Sequence, residues 1–214
     1  MPKVTLLDYG MANLLNVARA FEYCGAEVKI TTDAGEARRA DRLVVPGVGA
    51  FEDSLIEIRD RGFDDAIHGF IGSERPLFGI CVGMQMLFDV SDEFGEHAGL
   101  GVLPGRVRAV PNMTTNGAPQ KVPHIGWNHL ISPLSQRNWS DTLLHPYVGL
   151  HPAVYFVHSF SPEPSEVSHR LADCMYGGHR ICAAVQHENI MATQFHPERS
   201  GKVGLLLLQR FMDL

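Results

Sequence analysis

Five consecutive residues, Gly79-Ile80-Cys81-Val82-Gly83, set a cysteine between two glycines where an apolar run, Leu77–Ile80, gives way to a helical pattern. This G-x-C-x-G spacing is the cysteine form of a nucleophile elbow, a turn so sharp that its central side chain stands above the carboxyl edge of a sheet. Glycines flank it because a Cβ at either place collides with strand or helix. The helix that follows, expected to run through Phe88, points its positive end at the sulfur and favours the nucleophilic thiolate. With 21 glycines and four cysteines in 214 residues, about 0.04 such motifs are expected from composition alone. Cys24, Cys174 and Cys182 lack this setting and read as core residues.

An attacking thiolate needs a base, and the base needs something to orient it. Gln194-Phe195-His196-Pro197-Glu198 offers both. Pro197 biases His196 toward an extended backbone. Residues i and i+2 of an extended chain share a side, so Glu198 can hold the imidazole tautomer while His196 faces the sulfur. Pro46-Gly47-Val48-Gly49 ends another strand-like run, and its glycines let the backbone approach a substrate and aim N–H groups at a developing oxyanion. No Gly-Lys-Ser/Thr follows, so a phosphate loop is not expected. His145, His151 and His158 do not match zinc-site spacing, and no metal or cofactor is expected.

The elements around these motifs alternate. Lys3–Asp8, Glu27–Thr31, Leu43–Val45 and Leu77–Ile80 read as strands, with helices over Ala12–Cys24 and Glu52–Ile71 between them. Such alternation predicts βαβ units and a parallel sheet. Beyond residue 105 the chain is strand-rich, with candidates at Arg106–Val110, Gly126–Ile131, Val154–Phe160, Ile181–His187 and Ile190–Gln194, the last two joined as a hairpin at Glu188-Asn189. Ser200 is expected to cap a closing helix whose Val203, Leu206, Leu207 and Phe211 face the core. Residues 111–120 and 132–152 read as long exposed loops. The expected fold is α/β: a mainly parallel sheet flanked by helices with a small antiparallel annex, in one domain over 1–214.

Eighteen basic against 24 acidic side chains leave a net charge of −6, which disfavours nucleic acid and anionic membranes as partners. The longest run free of Asp, Glu, Lys and Arg, Thr142–Pro162, holds three histidines and three prolines and is no membrane span. The opening MPKVTLLDYG runs straight into a strand pattern, so no secretory leader is expected. Four cysteines without a C-x-x-C pair fit a reducing compartment, most simply the cytoplasm.

Taken together, Cys81 on its elbow, His196, Glu198 and the upstream PGVG loop resemble the class I (triad) glutamine amidotransferases, over nearly the whole chain. The segments LDYGMANL (7–14), GICVGMQ (79–85), KVPHIGWN (121–128) and YFVHSF (155–160) further resemble the glutaminase subunits of imidazole glycerol phosphate synthases. That resemblance implies a flavodoxin-like fold and attack by Cys81 on the side-chain amide of L-glutamine, with His196 moving the proton and Glu198 orienting His196. It implies substrate contacts from Gly47, Val48, Gly49, Gln85 and the backbone of His158, Ser159 and Phe160. Gln85 lies one helical turn beyond Cys81, on the same face. Nothing in the chain is left over for an acceptor-binding domain. A docked partner is therefore implied, in the family a (β/α)8-barrel cyclase, with Trp127, Tyr155 and Arg199 on the docking face by analogy. Ala12, Val82 and Phe160 depart from the family pattern without removing a reacting group, and 132–152 looks longer than the corresponding loop. A glutaminase subunit of a sister amidotransferase, a stand-alone cysteine hydrolase of the same fold and a non-catalytic module remain as alternatives.

Overall fold

Strand β1 (Lys3–Leu7) buries four residues in a row, and β3 (Leu43–Gly47) and β4 (Leu77–Cys81) bury all five. Unbroken burial, rather than alternation, marks strands covered by helices on both faces. The computed structural model, which describes residues 1–135 and 138–214, places them at the centre of a seven-stranded sheet. β2 (Glu27–Thr31) lies beyond β1 at one edge. On the other side β13 (Ile190–Thr193) pairs parallel with β4, and β12 (His179–His187) and β11 (Arg170–Tyr176) continue antiparallel. The order is β11-β12-β13-β4-β3-β1-β2.

The order of the strands reverses between β1 and β3, which stay parallel, so the carboxyl ends of β2, β1, β3, β4 and β13 share one edge of the sheet. Helices α1 (Leu14–Tyr23) and α6 (Gly201–Met212) cover one face, where Phe211 meets Phe21 and Phe78 with ring centroids 6.0 and 5.2 Å apart. The other face carries α2 (Ala34–Arg38), α3 (Phe51–Asp60), α4 (Phe63–Ile71) and α5 (Val82–Met86). A four-stranded annex has the order β10-β7-β5-β6, from β5 (Phe88–Ser91), β6 (His97–Ala98), β7 (Leu103–Ala109) and β10 (Phe160–Pro164). β8 (His124–His129) and β9 (Ala153–His158) form a separate two-stranded ribbon. Among the described residues no helix is long and apolar enough to cross a membrane.

Several expectations need correction. The helix expected over Glu52–Ile71 is two helices, broken at Gly62, whose φ of 70° ends α3 and starts α4. The helix expected through Phe88 stops at Met86, because Phe88 leaves to pair with Leu103 in the annex. Val154–Phe160 is two strands parted at Ser159. Ser200 precedes α6, but its hydroxyl donates to the His196 carbonyl and accepts from Tyr155 N–H instead of capping the helix. Leu206 is 43% exposed rather than in the core. Residues 132–152 are not simply an exposed loop. Trp139, Leu143, Leu144 and Tyr147 are buried, Trp139 Nε1 donates to the Leu171 carbonyl, and Tyr147 donates to that of Val203. Positions 136 and 137 of that stretch lie outside the described residues.

Candidate active site

Strand register brings the site together. Gly47 is level with Cys81 across β3 and β4, and Thr193 is level with Ile80 across β13 and β4. The chain leaving β13 therefore passes the sulfur at Gln194 and delivers His196 beside it. Cys81 adopts φ 56° and ψ −112°, a left-handed backbone that costs a side-chain-bearing residue about 1–3 kcal/mol. The glycines make this turn buildable. A Cβ on Gly83 would lie 1.8 Å from the Val45 carbonyl oxygen, and one on Gly79 would lie 2.9 Å from that of Gly83. Because α5 has only five residues, its dipole is a weaker partner for the sulfur than the full helix expected from sequence.

The stronger partner is His196. Its Nδ1 donates to Glu198 Oε1 at 2.8 Å, with the two side chains 6% and 2% exposed. That bond leaves Nε2 to face the sulfur, and Nε2 is buried without a hydrogen bond of full geometry. Burial works against the imidazolium, but the Cys81 sulfur and the Glu198 carboxylate outweigh it and lift the imidazole to about 10.

A cavity of about 360 Å³ opens over Cys81 and is lined by His196, Val48, Gly49, Gln85, His158, Ser159 and Phe160. Gly47 is not among its walls. A Cβ there would meet Gly83 N and the Tyr9 hydroxyl at 2.7 Å, so Gly47 is a close-packing point between β3 and the elbow. The Phe160 carbonyl accepts from both Gln85 Nε2 and His158 Nδ1, and the Ser159 carbonyl accepts from Val110 N–H. Those two carbonyls are therefore occupied within the protein. Gln85 also donates to Gln194 Oε1 at 2.9 Å.

Sequence reasoning missed three contributions. Glu93 lines the cavity, accepts from Phe51 N–H at 2.7 Å, and has its carboxyl pushed up by burial. Nothing in its local sequence marks it. Gln194, wholly buried, donates from Nε2 to the Cys81 sulfur at 3.6 Å. The LDYGMANL segment proves to be a brace for the PGVG loop. Tyr9 Oη donates to the Pro46 carbonyl at 2.6 Å, and the Met11 carbonyl accepts from Val48 N–H at 2.9 Å. Val48 thus has its N–H tied down in this conformation, while Gly49, at φ 97°, carries the turn.

Of the three residues expected on a docking face, Trp127 and Tyr155 lie on the ribbon, and Arg199 reaches them from the 3-10 turn Pro197–Arg199. Trp127, 58% exposed, meets Tyr155 edge-on with centroids 6.2 Å apart, and the Arg199 guanidinium lies 4.5 Å over the Tyr155 ring. Pro123, just before β8, and Val157, in β9, line the cavity, so the ribbon is also one wall of the site. Among the described residues no group of three or more His, Cys, Asp or Glu could hold a metal ion.

Comparison with known proteins gives the family. The family model described as glutamine amidotransferase class-I matches residues 5–213. The imidazole glycerol phosphate synthase subunit HisH 1 of Legionella pneumophila (strain Lens) is 47% identical over 214 residues, 100% of each chain. The subunit HisH of Syntrophotalea carbinolica is 42% identical over 216 residues, 99% of this chain and 100% of the relative. The solved structure of PurLQS from Thermotoga maritima shares the fold with a TM-score of 0.73 at 18% identity, covering 99% of this chain and 98% of that one. An elbow cysteine beside a His-Glu pair, in a chain matched end to end by these relatives, has one family reading: the protein belongs to the class I glutamine amidotransferases.

Proposed function

We infer that this chain is the glutaminase subunit of an imidazole glycerol phosphate synthase. It hydrolyses L-glutamine to glutamate and ammonia and passes the ammonia to a (β/α)8-barrel cyclase. The cyclase uses it to make imidazole glycerol phosphate and the aminoimidazole carboxamide ribotide in histidine biosynthesis. End-to-end identity with HisH subunits supports this assignment. The observation that carries the chemistry is the strained Cys81 facing His196, itself held by Glu198, at the floor of one cavity.

In our reading Cys81 attacks Cδ of glutamine, a carbon–sulfur bond forms, and the carbonyl electron pair moves onto oxygen. Val82 N–H, directly after the nucleophile, and a backbone N–H of Val48 or Gly49 serve that oxyanion. His196 gives its proton to the amide nitrogen, the C–N bond breaks, and ammonia leaves a thioester behind. Water then adds to the thioester as His196 takes a proton from it. The C–S bond breaks, thiolate and imidazolium are restored, and the new carboxylic acid ionises to glutamate. Gln85 and the backbone around Ser159 hold the substrate, and Glu93 is the carboxylate suited to its α-ammonium group.

The whole chain acts as one amidotransferase domain, and Trp127, Tyr155 and Arg199 form the surface that meets the cyclase. A desolvated route from site to partner keeps ammonia in its reactive neutral form, since burial disfavours the ammonium ion. Four free thiols support a reducing compartment, the cytoplasm. Co-purification with the cyclase, followed by assay of glutamate release with and without the cyclase ligand, tests the assignment. A complex whose glutamate release rises with that ligand is expected; failure to associate overturns it.

A further inference from the structure

The ribbon and the sulfur are joined by hydrogen bonds whose directions are all determined. Asn128 is anchored by backbone at both ends of its amide. Oδ1 accepts from His129 N–H at 2.8 Å and Nδ2 donates to the Met175 carbonyl at 2.8 Å. Its Nδ2 also reaches His124 Nε2 at 3.3 Å, so that ring nitrogen accepts. His124 then carries its proton on Nδ1 and donates to His158 Nε2 at 3.1 Å. His158 in turn carries its proton on Nδ1 and donates to the Phe160 carbonyl at 2.9 Å, which has nothing to give back. Each step allows only one tautomer when both rings are neutral. Burial keeps them so, holding His124 down to about 4 and His158 down to about 3.

A second arm starts from the same carbonyl. Gln85 Nε2 donates to Phe160 O at 3.0 Å and to Gln194 Oε1 at 2.9 Å. With its oxygen engaged, Gln194 can present only Nε2 to the Cys81 sulfur, 3.6 Å away. We propose that Gln194 is a positioning residue for the nucleophile, aiming the Cys81 sulfur at His196 with an amide N–H whose orientation is set by Gln85, which is itself anchored on the Phe160 carbonyl that the His124–His158 pair of the ribbon also holds in place. His196 faces the sulfur from the loop after β13, and Tyr9 is the other titratable group acting on it, from the brace. Gln194 is the uncharged donor on the remaining side.

The inference rests on Cys81 being the glutaminase nucleophile, and its test keeps the two apart. Gln194→Met keeps the length and loses the donor; His124→Phe keeps the stack on Tyr176 and Phe156, 4.0 and 4.9 Å away, and loses the hydrogen bond that holds His158 on the Phe160 carbonyl. In the complex with the cyclase, a hydrogen bond to a charged group is worth about a factor of ten or more. Gln194→Met is therefore expected to lower glutamine-dependent kcat about tenfold, with KM within about twofold. The inflection of the rate of iodoacetamide alkylation at Cys81 is expected about one pH unit higher. His124→Phe is expected to move both readouts the same way by less, and it carries the test alone where Gln194→Met does not fold. An unchanged kcat and an unchanged alkylation profile in the folded variants overturn the inference. Glutamate release that survives Cys81→Ser sinks instead the reading on which it rests.

Discussion

His196 and Glu198, separated only by Pro197, share a 2.8 Å hydrogen bond with both side chains almost fully out of water. A buried carboxylate and a buried imidazole so close act as one unit, and the sulfur of Cys81 is its third member. The imidazole is consequently held charged well above its ordinary range, at about 10.

Removing the carboxylate charge therefore reaches the sulfur through the imidazole. Glu198→Gln keeps the shape and loses the charge that fixes the Nδ1–H tautomer. Glutamine-dependent kcat is expected to fall by roughly 10²–10⁴, while synthesis from added ammonia in the complex is unchanged. Stability follows the same group. A folded-state value raised above the unfolded one contributes stability that is complete below about 6.5 and lost as pH rises toward about 10. Urea midpoints of the native chain should drop across that window, and the drop should be smaller in Glu198→Gln. Equal slopes for the two proteins would contradict the charge argument.

The elbow makes an unusual stability prediction. At most positions Gly in place of Ala costs a protein about 0.5–1 kcal/mol. At position 81 the backbone stands at φ 56°, where alanine is strained and glycine is not. Cys81→Gly should be at least as stable as Cys81→Ala, by urea denaturation, with both inactive toward glutamine. Gly83→Ala should do the opposite: its Cβ would sit 1.8 Å from the Val45 carbonyl oxygen, and overpacking of this kind costs about 1–3 kcal/mol.

Cys81 should also be the one thiol that labels fast. Burial pushes Cys182 up to about 12 and raises Cys174 and Cys24 as well, leaving little thiolate at neutral pH. Brief treatment with iodoacetamide at pH 7 followed by peptide mass mapping should find the label on the peptide that contains Cys81. Comparable labelling of Cys24 would show that the His196 partnership gives the sulfur no advantage.

What could be read from sequence was whatever depends on neighbours along the chain. Gly79, Cys81 and Gly83 announce their turn locally, and Pro197 holds His196 extended as expected, but Glu198 reaches the imidazole from a 3-10 turn over Pro197–Arg199 and not from the extended chain that the sequence suggests. Contributions that arise from the sheet were invisible. Gln194 touches the sulfur only because β13 is in register with β4, and Tyr9 matters only because β1 and β3 are neighbours. Glu93 reaches the cavity by way of the annex strand β5, whose Phe88–Ser91 the helical pattern of the preceding turn had concealed. The 132–152 stretch hides its buried residues for a similar reason: Trp139 and Tyr147 find their buried partners on β11 and α6, far away in sequence.

The last prediction concerns the isolated chain. Of the donors the PGVG loop can offer an oxyanion, Val48 N–H is held by the Met11 carbonyl at 2.9 Å. Losing one such donor typically costs about 10²–10³ in rate. The chain alone is thus expected to release glutamate slowly and to speed up greatly with the cyclase and its ligand. Pro123 and Val157 belong to the cavity wall, and Val157 shares one face of the ribbon with Tyr155 and its cross-strand partner Trp127, so docking bears directly on the site. Trp127→Ala should leave the thermal midpoint of the free chain nearly unchanged, because the ring is 58% exposed. It should weaken cyclase binding by about thirtyfold, as loss of an interface anchor worth about 2 kcal/mol does. Calorimetric titration of the cyclase into each chain measures the second effect. Full affinity in Trp127→Ala would move the docking face off the ribbon, and fast glutamate release by the chain alone would mean that the Val48–Met11 bond does not limit the reaction.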